Sequence, residues 1–363
     1  MNKKMLTYKE YYNKVFGSLL GKCVAGTIGA PYEGMKQLLN IKYDKSMIEK
    51  LLPNDDLDLQ VLWLKVLEEK GVNFTSDDLA AAFSGYNVIW PGEYALFDKN
   101  YRRGLRPPYT AKYENGFYNQ GMGCPIRGEI WGLICPLNPE LATKLCVYDG
   151  VLDHEGESVY FEQFISAMIS CAFTEDDIVK LVLKAKRFVK LNSRAEKLIN
   201  DVLRVYRSGK DALYLRDYLL TEYGHSDCTN SFINIGITVF CLLKGGKNII
   251  ETVMTALNCG FDTDCTTGIC GSVLGAIIGA ESLILKEGFK DNGYKTMLNY
   301  QRQSDRISDL AADVCNMGLY FMAEHSQGVK CVEGESSVNI PKSAEKIKLS
   351  VDYPDGPFFE PDK

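Results

Sequence analysis

The chain has 363 residues, of which 46% are apolar and 24% are charged, and its formal net charge is −6. A chain of this size can bury the core of one large globular domain or of two smaller ones. Its basic residues form no long run, so the charge pattern of nucleic-acid-binding proteins is missing. We therefore expect a small-molecule or protein substrate and no nucleic-acid partner.

Nothing in the sequence indicates a membrane or secreted protein. The first 14 residues contain lysines but lack the apolar stretch of a signal peptide. The longest apolar window, 273–285, is interrupted by Glu281 and is too short to cross a bilayer. The twelve cysteines are scattered singly, without C-x-x-C motifs or metal-ligand spacing. We expect a cytoplasmic protein with reduced thiols.

The first predicted element is a helix from Tyr11 to Ala30 with small residues on one face. These residues recur every four positions: Gly17, Gly21, Ala25 and Gly29. A matching stripe occurs near the other end of the chain at Gly271, Gly275 and Gly279. Such faces allow two helix backbones to approach closely. We expect two central helices in contact within a helical bundle.

Acidic residues lie at the ends of the predicted helices. Pro31 stops the first helix and leaves Glu33 on the following loop. A further helix is expected from Asn54 to Gly71, with an acidic first turn that capping would also explain. The second glycine-rich helix begins just after two more carboxylates, Asp262 and Asp264. Buried carboxylates of this kind are costly unless a cation lies between them.

Taken together, these three acidic stretches predict a metal site. Each is flanked by small or apolar residues, and we expect no lysine or arginine to neutralise them. Carboxylates that converge without cationic partners are typical of Mg²⁺, Mn²⁺ or Ca²⁺ sites. Two acidic clusters and a bridging glutamate would hold two ions.

The middle of the chain alternates between helical and loop-like segments. Residues 160–172 and 178–218 have the apolar periodicity of bundle helices. Residues 90–119 look loop-like and combine arginines with aromatic rings, which suits a diphosphate and a purine but also an insertion packed on the bundle. Residues 221–230 form a polar loop in which His225 and Asn230 are secondary site candidates.

The composition changes after His325. The stretch 330–363 is polar, and the alternation of Ile347, Leu349 and Val351 predicts a short strand followed by a turn. We expect a helical domain over 1–328 and a C-terminal extension over 329–363 that is a small β element or a loose tail.

The ordered motifs G-A-P-Y-E at 29–33, N-D-D-L-D at 54–58, G-M-G-C-P-I-R at 121–127 and G-F-D-T-D-C at 260–265 resemble the ADP-ribosylglycohydrolase family. The resemblance runs from about residue 11 to 325. It implies an all-α, compact multi-helix bundle with two Mg²⁺ or Mn²⁺ ions in a cleft. It also implies a glycosidase that cleaves the bond between ADP-ribose, or a related ribosyl group, and an acceptor.

The expected substrate is therefore an ADP-ribosylated protein or an ADP-ribose-containing small molecule. Two alternatives remain open at this point. In the first, the chain is a catalytically altered relative that binds ADP-ribose or another nucleotide; in the second, it hydrolyses another N-glycoside such as a nucleoside.

The resemblance also assigns roles to individual residues. The implied metal ligands are Asn54, Asp55, Asp56, Asp262, Asp264 and Cys265, with Asp264 as the bridge. Glu33, Asp55 and Asp56 are the implied catalytic residues, and Glu33 would orient or deprotonate a water. The implied substrate-binding residues are Gly121, Met122, Gly123 and Cys124, along a diphosphate and ribose, and His154, near the ribose.

Three positions depart from the family pattern. Asn54 replaces a threonine, and an amide oxygen can still bind Mg²⁺. Leu57 replaces a second threonine, for which Asp58 would compensate. Cys265 replaces a third, and sulfur is a poor ligand for a hard ion. We therefore expect a divergent member with one weaker metal site, where either Cys265 or Thr266 contacts the ion.

Overall fold

The computed structural model describes residues 6–88 and 90–325, which form sixteen α-helices and no strand. The helices are α1 (Tyr8–Gly29), α2 (Asp55–Lys70), α3 (Ser76–Tyr86), α4 (Gly92–Arg102), α5 (Tyr109–Lys112), α6 (Glu129–Ile134), α7 (Pro139–Gly150), α8 (Glu157–Ala172), α9 (Ile178–Ala185), α10 (Arg194–Arg207), α11 (Ala212–Tyr223), α12 (Ser231–Gly245), α13 (Ile249–Asn258), α14 (Thr263–Ile278), α15 (Ala280–Ser282) and α16 (Ile307–His325). The all-α prediction is confirmed. The predicted extension over 329–363 and its β element lie outside the described residues.

Helices α1 and α14 form the centre of the fold, and their backbones touch at glycines. A Cβ atom on Gly21 would overlap the carbonyl oxygen of Gly271, and one on Gly275 would overlap that of Gly17. Because no side chain intervenes, the two helices approach more closely than ordinary helix packing allows. The two glycine stripes predicted to meet therefore do so.

Hydroxyl groups add hydrogen bonds along the same contact. The hydroxyls of Ser18 and Ser272 lie 2.7 Å apart, and Thr267 Oγ1 donates to the carbonyl of Ala25 at 2.7 Å. These bonds satisfy polar groups that the close approach buries. They also fix the position of α14 along α1.

The ends of the two helices differ slightly from the prediction. Helix α1 begins three residues earlier than expected, at Tyr8, because Thr7 and Glu10 form a capping box before it. Helix α14 stops at Ile278, and Gly279 has a φ of +82° that ends the helix. Gly279 therefore terminates the stripe instead of continuing it.

The segment 90–119 is not the loop that its composition suggested. It contains α4 and the short α5, and Phe97 is buried with its ring stacked 4.9 Å from that of Phe83. The rings of Trp90 and Tyr94 also pack against Phe83 of α3, at 5.9 and 5.2 Å. The stretch 178–218 is helical as predicted but divides into α9, α10 and the start of α11.

Among the described residues, no single helix is both long and apolar enough to span a membrane; Thr263–Ile278 and Ala280–Glu287 meet that criterion only as a pair, and they are bent by 105°. The described cysteines are free thiols, and most are buried.

The glycine contact can be tested by adding one methyl group. Gly21→Ala places a Cβ against the backbone of α14, so we expect it to lower the free energy of unfolding by about 1–3 kcal/mol through overpacking. Gly85→Ala is the matched control, because a Cβ at Gly85 in α3 meets no atom within 4 Å. Denaturant unfolding of both variants is the measurement, and equal midpoints for the two would contradict the predicted contact.

Candidate active site

The acidic residues converge on one cavity of about 200 Å³. It lies where the chain leaves α1 and where α2 and α14 begin. Six carboxylate residues are among the residues that line it: Glu33, Asp55, Glu93, Asp227, Asp262 and Asp264. No lysine or arginine is among its described lining residues. Such a concentration of like charge favours a bound cation.

Two groups of side chains in this region are close enough to hold a metal ion. Asp56, Asp264 and Cys265 form one group, and Glu33, Asp262 and Asp264 form the other, with ligand atoms within 4.8 Å of one another in each. Asp264 belongs to both groups, as expected for a bridging ligand. Each group could hold one ion, and the two groups share Asp264.

Asp262 and Asp264 have the environment of carboxylates that need a cation. Both are buried, and the Oδ1 atom of each has no hydrogen-bond partner. Burial raises the pKa of both carboxyls well above the ordinary value, and neighbouring carboxylates act in the same direction. A divalent ion bound here would replace the protons that this environment favours.

Asp55 and Asp56 occupy the first turn of α2, with their backbone amides at the positive end of the helix dipole. Burial, and then the charge of Asp56, raise the pKa of Asp55 to about 7. Burial also raises the pKa of Asp56 to about 6, with Lys22 acting in the opposite direction. Asp55 lines the cavity, while Asp56 belongs to the first ligand group.

The expectation that the carboxylates have no cationic partner is wrong for Asp56. Lys22 of α1 is buried, with its Nζ 2.8 Å from Glu129 Oε1 and 3.4 Å from Asp56 Oδ2. Burial lowers the pKa of Lys22, but the charges of Glu129 and Asp56 outweigh this effect, so the net shift of the pKa is upward. The sequence signal for this contact was that Lys22 is the single charged residue in the glycine-rich stretch 16–29 of α1. Lys22 therefore partly neutralises the charge that Asp56 contributes to the site.

Backbone pairing holds Glu33 beside Asp262. The amide of Gly34 donates to the carbonyl of Phe261 at 2.9 Å, and the amide of Phe261 donates to the carbonyl of Met35 at 2.8 Å. Phe261 has a φ of +70°, a strained conformation for a residue with a side chain. Desolvation at the cavity raises the pKa of the Glu33 carboxyl, and Asp55 acts in the same direction. As a residue Glu33 remains exposed, so it lies at the cavity mouth.

Two residues of the acidic helix start have structural contacts instead of the expected ligand role. Asn54 Oδ1 accepts from the amide of Asp56 at 2.7 Å, and its Nδ2 faces Asp264 at 3.3 Å. Its amide oxygen therefore caps α2, while its amide nitrogen donates to Asp264, a member of both ligand groups. Asp58 accepts from the hydroxyl of Tyr294 at 2.6 Å and the amide of Met297 at 2.7 Å, so it does not compensate at the metal site.

The side chain of Cys265 lines the cavity, whereas that of Thr266 does not. The thiol of Cys265 lines the cavity and lies 3.4 Å from Asp56 Oδ1. The hydroxyl of Thr266 instead donates to the carbonyl of Thr263 at 3.2 Å within the helix. Burial raises the pKa of the Cys265 thiol well above its ordinary value, which favours the neutral thiol. A neutral thiol is only a weak hydrogen-bond donor to Asp56.

The glycine turn expected to bind substrate is only partly open to the cavity. Met122 and Gly123 line it, whereas Gly121 and Cys124 do not. Gly121 instead pairs with Asn230 through a β-bridge, and Cys124 is buried in the core.

His154 does not reach the cavity, contrary to its expected place beside the ribose. It is fully buried behind the turn, with Nδ1 2.7 Å from Asp153 Oδ1 and Nε2 3.6 Å from Glu93 Oε1. Burial lowers the pKa of His154, but the charge and hydrogen bond of Asp153 outweigh this effect, so the pKa rises to about 9. The imidazolium therefore acts on the cavity only through Glu93.

Behind the turn, Arg127 anchors the same network. Its guanidinium donates two hydrogen bonds of 2.8 Å to Asp153, and its Nε lies 2.8 Å from Asp149 Oδ1. The rings of Trp63, Phe83 and Tyr94 surround it at 5.6–6.0 Å. A fully buried, paired arginine fixes geometry and is not free to bind a ligand.

Several cavity residues escaped the sequence analysis: Glu93, Tyr94, Asp227 and Thr229. Glu93 and Tyr94 lie on α4, in the segment for which the sequence predicts a loop. In the polar loop before α12, the candidates were His225 and Asn230, but these residues position others. His225 Nδ1 accepts from the amide of Asp227 at 3.0 Å, and Asn230 caps α12. Only tertiary packing shows which residues of such a loop face the cavity.

A sequence profile of the ADP-ribosylglycohydrolase family matches residues 7–318, which span nearly the whole chain and every motif of the cavity. The chain belongs to the ADP-ribosylglycohydrolase family. A solved structure described as an ADP-ribosylglycohydrolase-related protein complex aligns with 87% of this chain and 99% of its own, with a TM-score of 0.58. Its sequence identity is 15%, so this similarity supports the fold only. A comparison with curated proteins finds no match.

Membership in the ADP-ribosylglycohydrolase family suggests glycohydrolase activity on ADP-ribose-like substrates and a dependence on metal. The carboxylate oxygens of the cavity suit metal binding. Unpartnered buried carboxylate oxygens and a shared aspartate are what hard divalent ions require. A larger cavity of about 550 Å³, between α2, residues 294–306 and α16, lacks both ligand groups.

The membership of Asp264 in both ligand groups gives a prediction that distinguishes it from other buried carboxylates. Asp264→Asn removes a ligand from both groups, so we expect Mn²⁺ affinity to fall by more than about 100-fold, above the cost of losing an outer-shell partner. Asp58→Asn changes the same type of side chain two residues from Asp56 but should leave Mn²⁺ stoichiometry unchanged. Titration calorimetry measures both, and unchanged Mn²⁺ binding in Asp264→Asn would rule out the bridge.

The buried His154–Asp153 pair should make stability depend on pH. The pKa of His154 in the folded protein, about 9, exceeds the ordinary histidine pKa of about 6.5. The stabilisation by this pair is therefore complete below about pH 6.5 and is lost as the pH rises through about 9. We expect the destabilisation caused by His154→Gln to shrink between pH 7 and pH 10. Urea unfolding of both proteins across this range is the measurement, and parallel pH profiles would contradict the pairing.

Proposed function

We propose that this member of the family cleaves the glycosidic bond between ADP-ribose, or a related ribosyl group, and an acceptor, with two Mg²⁺ or Mn²⁺ ions. The observation that carries the proposal is the sharing of Asp264 by two ligand groups at one cavity. The first group would consist of Asp56, Asp264 and Cys265, and the second of Glu33, Asp262 and Asp264. A bound divalent ion would supply Lewis-acid polarisation of water and of sugar hydroxyls.

The residues of the chain supply the remaining chemistry. Hydrolysis breaks the bond between the anomeric carbon and the acceptor atom and joins a water oxygen to that carbon. A glycosidic carbon reacts through a cation-like transition state, so nearby carboxylate charge is stabilising. Asp55 lines the cavity and is suited to accept a hydrogen bond from a sugar hydroxyl.

Glu33 is our candidate for the base that takes a proton from the attacking water. It lies at the exposed mouth of the cavity, and its raised pKa brings it closer to neutral pH than an ordinary glutamate. The same proton can pass to the departing acceptor, which leaves Glu33 unchanged after one turnover. Backbone bonds fix residues 34 and 35 beside Phe261, whereas the Glu33 side chain lies at the mouth of the cavity, where it could serve as ligand or as base.

Product release tests the function directly. The protein is incubated with Mg²⁺ or Mn²⁺ and with ADP-ribosyl-serine peptide, ADP-ribosyl-arginine, O-acetyl-ADP-ribose or nucleosides, and free ADP-ribose or ribose is quantified. Metal-dependent release of ADP-ribose supports the proposal. Binding without release would instead indicate a catalytically altered relative, and release of ribose only from nucleosides would indicate another N-glycoside hydrolase.

The role of Glu33 gives a kinetic prediction. Glu33→Gln keeps the shape of the side chain but cannot take a proton, so we expect kcat to fall by about 100-fold or more. Glu49→Gln, at an exposed glutamate away from the cavity, should leave kcat unchanged. Steady-state kinetics at saturating Mn²⁺ are the measurement, and a kcat for Glu33→Gln near that of the wild type would assign the base to another residue.

A further inference from the structure

A buried lysine lies directly behind the first ligand group. The Lys22 side chain is 2% exposed, and its Nζ atom reaches three acceptors: Glu129 Oε1 at 2.8 Å, the carbonyl of Ile126 at 3.1 Å and Asp56 Oδ2 at 3.4 Å. An ammonium group has three N–H donors, so these contacts use all of them. Asp56 is therefore the residue through which the charge of Lys22 acts on the metal site.

A second buried side chain fixes the partner of the lysine. Gln60 Nε2 donates to Glu129 Oε2 at 3.0 Å, and it also lies 3.2 Å from the carbonyl of Asp56 and 3.1 Å from that of Ile126. The side chains of Lys22, Gln60 and Glu129 are all buried. A buried network of this kind has few alternative arrangements, so the ammonium group is held against Asp56.

The two oxygens of Asp56 have different surroundings. Oδ2 faces the ammonium group of Lys22, whereas Oδ1 lies 3.4 Å from the thiol of Cys265, inside the first ligand group. A carboxylate binds a hard ion through one oxygen or through both. Here one oxygen is already engaged by a cation of the protein, so Asp56 offers an ion a single oxygen and a reduced charge.

The second ligand group has no such cation. It consists of Glu33, Asp262 and Asp264, and no lysine or arginine is among the described residues that line the cavity. The Oδ1 atoms of Asp262 and Asp264 have no hydrogen-bond partner. An ion bound by this group would therefore meet the full charge of its carboxylates.

Glu129 determines how strongly Lys22 acts on Asp56. The two carboxylates share one ammonium group, and the contact to Glu129 is the shorter of the two. Because Lys22 and Glu129 have opposite charges, the pair adds no net charge to the region. If the Glu129 charge alone were removed, Asp56 would remain the one carboxylate that Lys22 contacts. If both charges were removed, both oxygens of Asp56 would be available to an ion.

We propose that Lys22 is a positioning residue that makes the two metal positions unequal. By holding Asp56 Oδ2, it weakens the first ligand group, so the ion of the second group binds first and the ion of the first group binds second. This inference rests on the proposed two-ion site and goes beyond it by assigning the order in which the ions bind.

Binding of Mn²⁺ to the full-length protein tests this order without a measurement of activity. The metal-free protein is titrated with Mn²⁺, and the unbound ion is quantified by electron paramagnetic resonance. We expect the wild type to bind two ions whose affinities differ by roughly tenfold or more, because groups that contact a metal ligand change metal affinity by about 10- to 100-fold.

Two variants should shift the weaker binding step in opposite directions. Lys22→Met combined with Glu129→Gln removes the pair and keeps the net charge, so we expect the weaker ion to bind roughly tenfold more tightly. Glu129→Gln alone leaves the charge of Lys22 on Asp56, so we expect the weaker ion to bind less tightly. The tighter ion should be unaffected in both. Loss of local structure would instead weaken binding in both variants.

Lys99→Met combined with Glu114→Gln is the matched control. It removes an exposed lysine–glutamate pair, 3.2 Å apart, with the same change in charge, and should bind both ions as the wild type does. Urea unfolding establishes that each variant is folded. Glu129→Gln keeps the shape of its side chain and decides the question if the double variant at Lys22 does not fold, because removal of one partner of a buried pair is tolerated less well than an isosteric change.

The outcomes separate this inference from the proposed function. Two ions of equal affinity in the wild type would overturn the inference and leave the two-ion site standing, whereas a single bound ion would overturn both. The inference also fails if the weaker ion does not bind more tightly to the folded double variant at Lys22, or if Glu129→Gln leaves its affinity unchanged. Opposite shifts confined to the weaker ion support it.

Discussion

The close approach of α1 and α14 is the constraint on which the rest of the structure depends. Glycines at the contact remove the side chains that would hold the two backbones apart, and the ends of both helices are thereby brought to one place. Glu33 follows α1, and Asp262 and Asp264 begin α14. A cluster built from residues more than 200 positions apart needs such a rigid centre, because its carboxylates repel one another.

That repulsion is balanced unevenly across the cluster. Lys22, which α1 carries toward the core, compensates Asp56 and Glu129 from behind. No comparable lysine or arginine contact to Asp262 or Asp264 occurs among the described residues, and each keeps an unpartnered oxygen. Burial raises the pKa of both carboxyls well above the ordinary value, so a divalent ion bound here would compete with protons for these oxygens.

The sequence was most informative where a local pattern determines the structure. Small residues at four-residue spacing predicted the helix contact at Gly21 and Gly271, and acidic helix starts predicted where the carboxylates meet. Prediction from the sequence failed where one residue has two possible partners. Asn54 can bind a metal or cap a helix, and only the fold shows that its oxygen takes the amide of Asp56. Lys22, Glu93 and Asp227 enter through tertiary contacts that no local pattern contains.

The asymmetry expected from Cys265 now has a physical description. The ligand group that contains this thiol also contains Asp56, whose charge Lys22 partly neutralises, so it offers a hard ion one soft donor and one weakened carboxylate. The group of Glu33, Asp262 and Asp264 offers three carboxylates, of which Glu33 lies at the exposed mouth. The group with more carboxylates thus includes the residue that we propose as the base. An ion bound there would be held by Glu33, Asp262 and Asp264, so the proposed proton transfer to Glu33 would be linked to its role as a ligand.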